Sequence, residues 1–560
     1  MKRIFNQKNL LILMFILAFV LRLGLPLMRE SLFLKQPFIL TGYHFYHHVT
    51  SDSIYYNYTA KALIEGKGYS MNYNELILEN IDVGNLSVPT PQNEIIIDKW
   101  KIHKPNKIFL TNMADYGKWR IDDPNYILHR IIPPLYPIFL AICYWLFGGN
   151  TLAYFIPQIF LGSLTCLLIY FITKEIFDRK TAMLAGFAVA LYPDLIFWTY
   201  MIRPETFYIF LLALSFLFLL RGTARNTSYL LYAGVLFLGF ACLTRIVTLL
   251  FIPAYLFWQF IALGNSRKTW SVIATSFMIL FITLLPWCIR NHLVFKQFSF
   301  FTIEQAAVLL DYTYNFSLNE FKDRSAVNKL LQAIDADDFG ILFNGYKDPI
   351  ARLNNLLDVP NFYDIWLSKN KTIAVSKKTQ ELIKATKNIR GKRFDKLSAT
   401  EQNTIKHLNR LLLEITYPKS CPKGLFFANS YDLISSKSSM IVFADLIIKN
   451  PIEYSLITFK RMIKFLSPIT LQMRDTAKYY RILTWLIVFP LSLLGIISAI
   501  LRCPIRSGLL LLFIAFNILL FSATYVDDGL VYRYPIQPFL CIFAAYGLVS
   551  IKSFIWRETP

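Results

Sequence analysis

The sequence predicts an all-α polytopic membrane protein with a bundle of about 10–12 transmembrane helices. Hydrophobic side chains make up 55% of its 560 residues and charged ones only 17%, which is well below the ~25% of an ordinary soluble domain. Nearly uncharged runs approach the ~20 residues that cross a bilayer. They lie at about 9–28, 150–173, 181–202, 205–220, 227–244, 246–266, 269–289, 482–501, 507–525 and 534–551. The first run reads as an uncleaved span.

The basic residues indicate how the chain is oriented. There are 58 Lys and Arg against 36 Asp and Glu, but the cations stand at the ends of apolar runs, which argues against nucleic acid as a partner. If the run 131–148 is a short or re-entrant helix, the basic connections all fall on the cytoplasmic side, as the positive-inside rule requires. These cations are Lys174, Arg179, Lys180, Arg221, Arg225, Arg267, Lys268, Arg502 and Arg506.

Two hydrophilic regions, 29–130 and about 290–481, then lie on the outer side. We divide the chain into an N-terminal transmembrane module (1–310) with the first outer loop, an outer insertion with interfacial helices (311–480), and C-terminal transmembrane helices (481–560). The part at 311–435 reads as a mainly helical insertion. Residues 439–466 predict two amphipathic helices on the membrane interface, broken at Asn450 and Pro451.

Charges near the outer ends of the spans predict an anion site. Arg203, Glu205, Arg245, Arg290 and Arg533 fall at this depth, and Asp194 lies in the outer part of its run. Several cations at one depth suit a phosphate headgroup, which arginine binds through paired hydrogen bonds. The alternative is that each is a snorkelling anchor.

The first outer loop contains a candidate general base. From Asp52 onward, Tyr55, Tyr56 and later apolar residues follow a helical period, so Asp52 falls in a first turn near the membrane. A carboxylate there suits a hydroxyl acceptor; the alternative is an acid that only stabilises the helix start. His44, His48 and Asp52 are spaced four apart and form a weak candidate metal face, so a divalent metal ion stays open as a cofactor.

Motifs for nucleotide-driven chemistry are missing from the sequence: it has no Gly-rich phosphate loop, H-E-x-x-H or G-x-S-x-G. Its seven cysteines include no C-x-x-C, which disfavours a zinc ribbon. An activated donor used on the outer side would therefore be carried by lipid.

Five stretches in order resemble the C-type (GT-C) glycosyltransferases, in the branch of protein O-mannosyltransferases and lipid A aminoarabinose transferases. They are SDSIYYNYTAKALIEGKGYS, RIIPPLYPIFLAICYWLFGG, GFACLTR, LLPWCIRN and YRYPIQPFLCIFAAYGL. The resemblance implies a polyprenyl-phosphate sugar donor and transfer on the periplasmic or lumenal face, usually with inversion. The acceptor stays open: a lipid, a glycan or a protein hydroxyl.

The resemblance also implies roles for individual residues. Asp52 corresponds to the catalytic acid, although Ser53 follows it where the family often has Glu, which leaves a metal role open. Donor phosphate would be bound by Arg290, Arg533, Arg130, Arg245 and Asn291. The pocket and acceptor side would include Tyr55, Tyr56, His129, Glu205 and Tyr534.

Three other functions compete with this one. A lipid-linked glycan polymerase or ligase would also need outer loops and arginines. A lipid or sugar transporter is disfavoured because most spans lack charge at mid-membrane and the halves show no symmetry. A scaffold would tolerate loss of the Asp52 charge. The expected location is the inner (cytoplasmic) membrane with a periplasmic active site, and membrane lipids are further partners.

Overall fold

The computed structural model describes the helices of the bundle and part of the first outer loop. The described residues are 7–33, 51–72, 126–128, 132–148, 151–295, 398, 447–448, 450–468, 478–524 and 532–555. The N-terminal helices are α1 (Gln7–Phe33), α2 (Ser51–Ile64), α3 (Leu135–Phe147), α4 (Thr151–Ile176), α5 (Arg179–Leu191), α6 (Pro193–Phe197), α7 (Glu205–Ala224), α8 (Ser228–Thr244), α9 (Ile252–Leu263) and α10 (Arg267–Phe295). The later ones are α11 (Pro451–Leu466), α12 (Lys478–Arg502), α13 (Pro504–Thr524) and α14 (Gln537–Ile555).

Among these residues, 8 helical segments are long and apolar enough to cross a membrane. They are Gln7–Gly24, Ala153–Ile176, Glu205–Ala224, Ile246–Leu263, Arg267–Leu293, Tyr479–Arg502, Pro504–Thr524 and Tyr534–Ile551. The prediction of a helical, multi-pass membrane protein is confirmed.

One predicted span is shorter than the others and another is broken. The run 227–244 forms α8, a helix of 17 residues. The run 181–202 is broken, because α5 ends at Leu191 and Tyr192 is extended with φ −71° and ψ 119°. Tyr192 precedes Pro193, and a residue before proline disfavours helical geometry. The break leads into α6 and a short 3-10 turn, Trp198–Tyr200.

The ambiguous run 131–148 folds as the short helix α3. Its 13 residues span about 20 Å, which is less than the hydrocarbon thickness of about 30 Å. Tyr136, Leu140 and Tyr144 are buried against protein, while Trp145 on the other side is 75% exposed. This agrees with the predicted short helix packed on the bundle.

The predicted basic connections meet at one end of the bundle, which we call the basic end. Arg221 Nε lies 2.6 Å from Glu175 Oε1, joining the ends of α7 and α4. Lys268 Nζ donates to the Asn226 carbonyl at 3.1 Å, which joins the start of α10 to the α7–α8 turn. The positive-inside rule needs such clustering, and the cytoplasmic assignment of this end stays a prediction.

The opposite end, which we call the site end, carries α2, α3 and a small antiparallel sheet that the sequence does not predict. Strands β1 (Ser70–Asn72) and β2 (Tyr126–Leu128) pair in the register Ser70 with Leu128, Met71 with Ile127 and Asn72 with Tyr126. Gly66 and Gly68 adopt φ of 71° and 66°, a conformation that favours glycine. This turn brings the chain from α2 into β1.

Helix α11 matches the second predicted amphipathic helix, which begins after Asn450. Ile457, Arg461 and Phe465 are buried, and Ile452 and Phe459 are 78% and 56% exposed. Tyr454 Oη donates to the Ala523 carbonyl at 2.5 Å, which fastens α11 to the end of α13. The predicted insertion at 311–435 lies outside the described residues apart from Ser398, and the three-part division of the chain stays a prediction.

Candidate active site

Helix α2 places Asp52 in its first turn at the site end, as the sequence predicts. For Asp52 the structure describes the backbone but not the side chain. Tyr56, four residues on and so on the same helix face, is 6% exposed and meets the Tyr136 ring edge-on at a centroid distance of 5.0 Å. Tyr55 is partly buried beside it.

Hydrogen bonds connect α2 and α3 to the broken segment between α5 and α7. Tyr144 Oη donates to Asn57 Oδ1 at 2.9 Å. Tyr136 Oη donates to Gln158 Oε1 at 3.1 Å, and Gln158 Nε2 donates to the Met201 carbonyl at 3.0 Å. Helix α2 is thus coupled through α3 and α4 to the segment that carries Arg203 and Glu205.

Arg290 contacts the first hydrophilic loop (29–130) directly. Its Nη2 donates to the Tyr69 carbonyl at 3.0 Å and its Nη1 to Asn291 Oδ1 at 3.1 Å. The guanidinium lies 5.2 Å and 5.0 Å from the ring centroids of Tyr69 and Trp287, within cation–π range. Tyr69 Oη in turn donates to the Ile132 carbonyl at 2.9 Å. One corner therefore joins α10, the α2–β1 turn and the start of α3.

Glu205 and Arg245 form an ion pair in a second group at the site end. Arg245 Nη2 donates to Glu205 Oε1 in a short contact, and Arg203 Nη1 lies 3.9 Å from the same oxygen. Glu205 is fully buried, whereas both arginine side chains are 12% exposed. The Arg203 guanidinium also lies 5.3 Å from the Trp198 ring centroid.

Asp194 is the centre of a third group, which joins the N-terminal helices to the C-terminal ones. Arg481 Nε lies 3.2 Å from Asp194 Oδ1, and Gln537 Nε2 donates to Oδ2 at 2.8 Å. Tyr534, 1% exposed, packs on Trp198 at 5.6 Å between ring centroids. Tyr534 also lies near both Asp194 and Glu205.

Arg533 is buried beside this third group, at 1% exposure. Its Nη1 donates to the carbonyls of Phe465 and Ser467 at 3.1 and 2.6 Å, and its guanidinium stacks over Trp485 at 3.9 Å. It therefore binds the last carbonyls of α11, where a cation complements the helix dipole. Its contact with donor phosphate stays a prediction.

The predicted site residues that the structure describes thus lie on helix α2 and in the Arg290, Glu205 and Asp194 groups at the site end. Arg290, Asn291, Arg245, Glu205, Arg533, Tyr534, Tyr55 and Tyr56 are described there. Arg130, His129, His44 and His48 lie outside the described residues. No three His, Cys, Asp or Glu side chains group as a metal site within the part of the chain that the structure describes. The side chains of the predicted metal face lie outside that part.

Several side chains at this end were missed as site residues. Tyr69 lies in the GKGYS stretch and Trp287 in LLPWCIRN. The sequence signals for them were an aromatic ring after a glycine turn and an aromatic ring near an arginine. Arg481 stands at the start of a span and resembles an interfacial anchor. Arg22 interrupts the first span: its Nη1 and Nη2 reach the carbonyls of Ala190 and Val189 at 3.4 and 3.3 Å, which closes the end of α5.

A comparison with protein families gives one match. The model of the dolichyl-phosphate-mannose-protein mannosyltransferase family matches residues 132–287, which is less than half of the chain but includes α3, Glu205, Arg245 and Trp287. The resemblance to this branch of glycosyltransferases is confirmed over that segment. No curated protein matches the sequence.

Solved structures that resemble this chain share little sequence identity with it. The apo oligosaccharyltransferase of Archaeoglobus fulgidus is 12% identical with a TM-score of 0.45, covering 98% of this chain and 51% of its own. ArnT of Cupriavidus metallidurans bound to undecaprenyl phosphate is 14% identical with a TM-score of 0.29, covering 80% and 72%. The chain spans about half the length of that oligosaccharyltransferase, and TM-scores below 0.5 do not define a shared fold.

Proposed function

We propose that the protein is an integral membrane glycosyltransferase that moves a sugar from a polyprenyl-phosphate donor to an acceptor hydroxyl. The observation that carries this is that both ends of α2 lie near arginines at one end of a membrane bundle: Arg290 donates to Tyr69 just after the helix, and Arg245, paired with Glu205, lies near Tyr56 within it. The family match over residues 132–287 supports a lipid-phosphate sugar as the donor class. The acceptor is a lipid, a glycan or a protein hydroxyl.

The reaction needs two groups on opposite sides of the sugar C1. The acceptor oxygen attacks C1 as its proton passes to the Asp52 carboxylate, a general base. The bond between C1 and the phosphate oxygen breaks, and polyprenyl phosphate leaves with the electron pair and a growing negative charge. Arg290 and Arg245 stabilise that charge through charge-assisted hydrogen bonds. Attack opposite the leaving group inverts the configuration at C1.

The site end is placed on the extracytoplasmic face of the cytoplasmic membrane in this proposal. Support comes from the basic end, where Arg221, Lys268 and their neighbours gather as expected of cytoplasmic connections. Nucleotides are scarce outside the cytoplasm, which suits a donor that is delivered by lipid. Cysteine accessibility labelling at the α7–α8 turn and at the α2–β1 turn would test the orientation.

A transfer assay tests the function. The purified full chain in detergent is incubated with radiolabelled polyprenyl-phosphate hexoses and pentoses, and both released polyprenyl phosphate and labelled product are measured. Donor hydrolysis or transfer supports the proposal, whereas donor binding without any turnover would indicate a carrier and reject it. Mass spectrometry of envelope lipids and glycans with and without the protein then identifies the acceptor.

A further inference from the structure

Glu205 stands at an unusual place for a carboxylate in a membrane bundle. It is the first residue of α7, directly after Pro204, and it is fully buried at 0% exposure. The amino end of a helix favours negative charge. A buried charge is still retained only where partners compensate its lost hydration.

Those partners are two arginines from two different chain segments. Arg245 follows the end of α8 and Arg203 precedes α7, and both approach the same oxygen, Glu205 Oε1. Two guanidinium groups brought this close repel each other unless an anion lies between them. The Glu205 carboxylate therefore fixes the positions of both guanidinium groups.

Arg245 is the member of this group that faces the rest of the site. The Arg245 guanidinium lies near Tyr56 of α2 and Tyr532 just before α14. The turn that follows it is braced by the hydrogen bond between Tyr208 Oη and Thr248 Oγ1 at 2.7 Å. The Arg245 side chain is 12% exposed, whereas Glu205 is fully buried.

The second carboxylate oxygen of Glu205 differs from the first in its hydrogen bonding. Oε2 is buried and has no hydrogen-bond partner among the residues that the structure describes. A buried unpaired acceptor costs about 1–3 kcal/mol, so this carboxylate is not placed for the best stability. Its placement serves the two arginines instead.

We propose that Glu205 is a positioning residue for donor binding, which holds Arg245, and with it Arg203, where they contact the phosphate of the polyprenyl donor. This inference rests on the proposed function and deepens it. Glu205 itself contacts neither the acceptor nor the sugar. It acts mainly through Arg245. Because Arg203 approaches the same carboxylate oxygen, the proposal also makes Arg203 a phosphate-binding residue.

Kinetics of Glu205→Gln and Glu205→Asp test the proposal. Glutamine retains the size but loses the charge, so the donor KM should rise about 10-fold or more, equivalent to about 1.4 kcal/mol, while the acceptor KM stays near that of the wild type. Aspartate retains the charge and should recover part of the donor affinity. Glu175→Gln, which removes the Arg221 partner at the basic end, is the matched control and should leave the donor KM unchanged.

A double substitution tests whether the effect passes through Arg245. In an Arg245→Ala background, Glu205→Gln should raise the donor KM much less than in the wild type, because only the longer contact with Arg203 is left to lose. Equal effects in both backgrounds, or a rise in the acceptor KM as large as that in the donor KM, would overturn the proposal. Tighter donor binding by Glu205→Gln would also overturn it, since Glu205 would then compete with phosphate.

Direct binding separates this inference from the function itself. Retention of tritiated polyprenyl phosphate by the purified variants is measured without any transfer. If the wild type binds but does not transfer, the proposed function fails and weaker binding by Glu205→Gln still supports the positioning role. If the wild type transfers and Glu205→Gln binds equally well, the positioning role fails alone. Where Glu205→Gln does not fold, Glu205→Asp, with a carboxylate one methylene shorter, should show the weaker binding.

Discussion

Arginines at the site end occupy two different settings. Arg22 and Arg533 are 1% exposed and donate to backbone carbonyls at helix ends, so both side chains are enclosed by the bundle. Arg203 and Arg245 are 12% exposed, and Arg290 is partly exposed. Because a phosphate has to reach the guanidinium, the second setting is the better one for donor binding.

At the residue scale, the first prediction concerns the candidate base. Asp52→Asn should lower transfer at least about 100-fold, in line with the contribution of a general base, while expression and membrane insertion stay normal. Glu65→Gln, at an exposed carboxylate just beyond the same helix, is the control and should retain full activity. Near-normal turnover of Asp52→Asn would reject Asp52 as the base.

The second prediction concerns Arg290, which is held between Tyr69 and Trp287. Arg290→Ala should raise the donor KM about 10-fold or more, because hydrogen bonds to charged groups contribute about 1.5–3 kcal/mol, with a much smaller change in the acceptor KM. Arg225→Ala at the exposed basic end is the control. Equal changes in the KM of donor and acceptor would argue against a phosphate contact.

At the scale of elements, the helix pair α12–α14 depends on two glycines. A Cβ on Gly495 would overlap the carbonyl oxygen of Phe543, and one on Gly547 would overlap that of Leu491. The backbones are therefore in direct contact, a common form of helix association in membranes. This contact sets the position of α14, whose first residues include Gln537 of the Asp194 group.

Gly495→Ala should destabilise the protein by about 1–3 kcal/mol or more through overpacking. Gly24→Ala is the matched control, because a Cβ at Gly24 in α1 meets nothing within 4 Å and alanine favours a helix. The apparent melting temperature in detergent checks both variants. An apparent melting temperature of Gly495→Ala equal to that of the wild type would contradict the close approach of α12 and α14.

At the scale of the whole molecule, two sets of helices that are distant in sequence share one end. The Asp194 group joins the α5–α7 break to α12 and α14, and Arg533 joins the last segment to α11. The candidate site therefore depends on contacts between the N-terminal and C-terminal helices. Loss of those contacts would displace residues on both sides of it.

A double-mutant cycle on Asp194 and Arg481 tests this connection. Asp194→Asn alone should cost about 3–5 kcal/mol, because it removes the buried carboxylate that balances the charge of Arg481, and Asp194→Asn with Arg481→Met should cost less than the sum of the single changes. Glu175→Gln with Arg221→Met provides the comparison pair at the basic end, where more exposed ions couple by about 0–1 kcal/mol. Additive effects at Asp194 and Arg481 would contradict the connection.

The spans and the short helix could be predicted from sequence because a bilayer imposes length and hydropathy on each segment separately. The break before α6 was missed, although Tyr192 and Pro193 gave a local signal for it. The pairing of β1 with β2 had no such signal, since each strand has only three residues and a long stretch of chain separates them.

Local patterns were sufficient to establish the membrane class, the gathering of basic connections and the helix that begins near Asp52. They could not decide which arginine meets which partner, because Glu205 with Arg245, Asp194 with Arg481 and Arg290 with Tyr69 pair across long stretches of chain. Those pairs depend on how the helices pack against one another. The packing alone distinguishes an arginine that holds the bundle together from one that keeps an edge open to a phosphate.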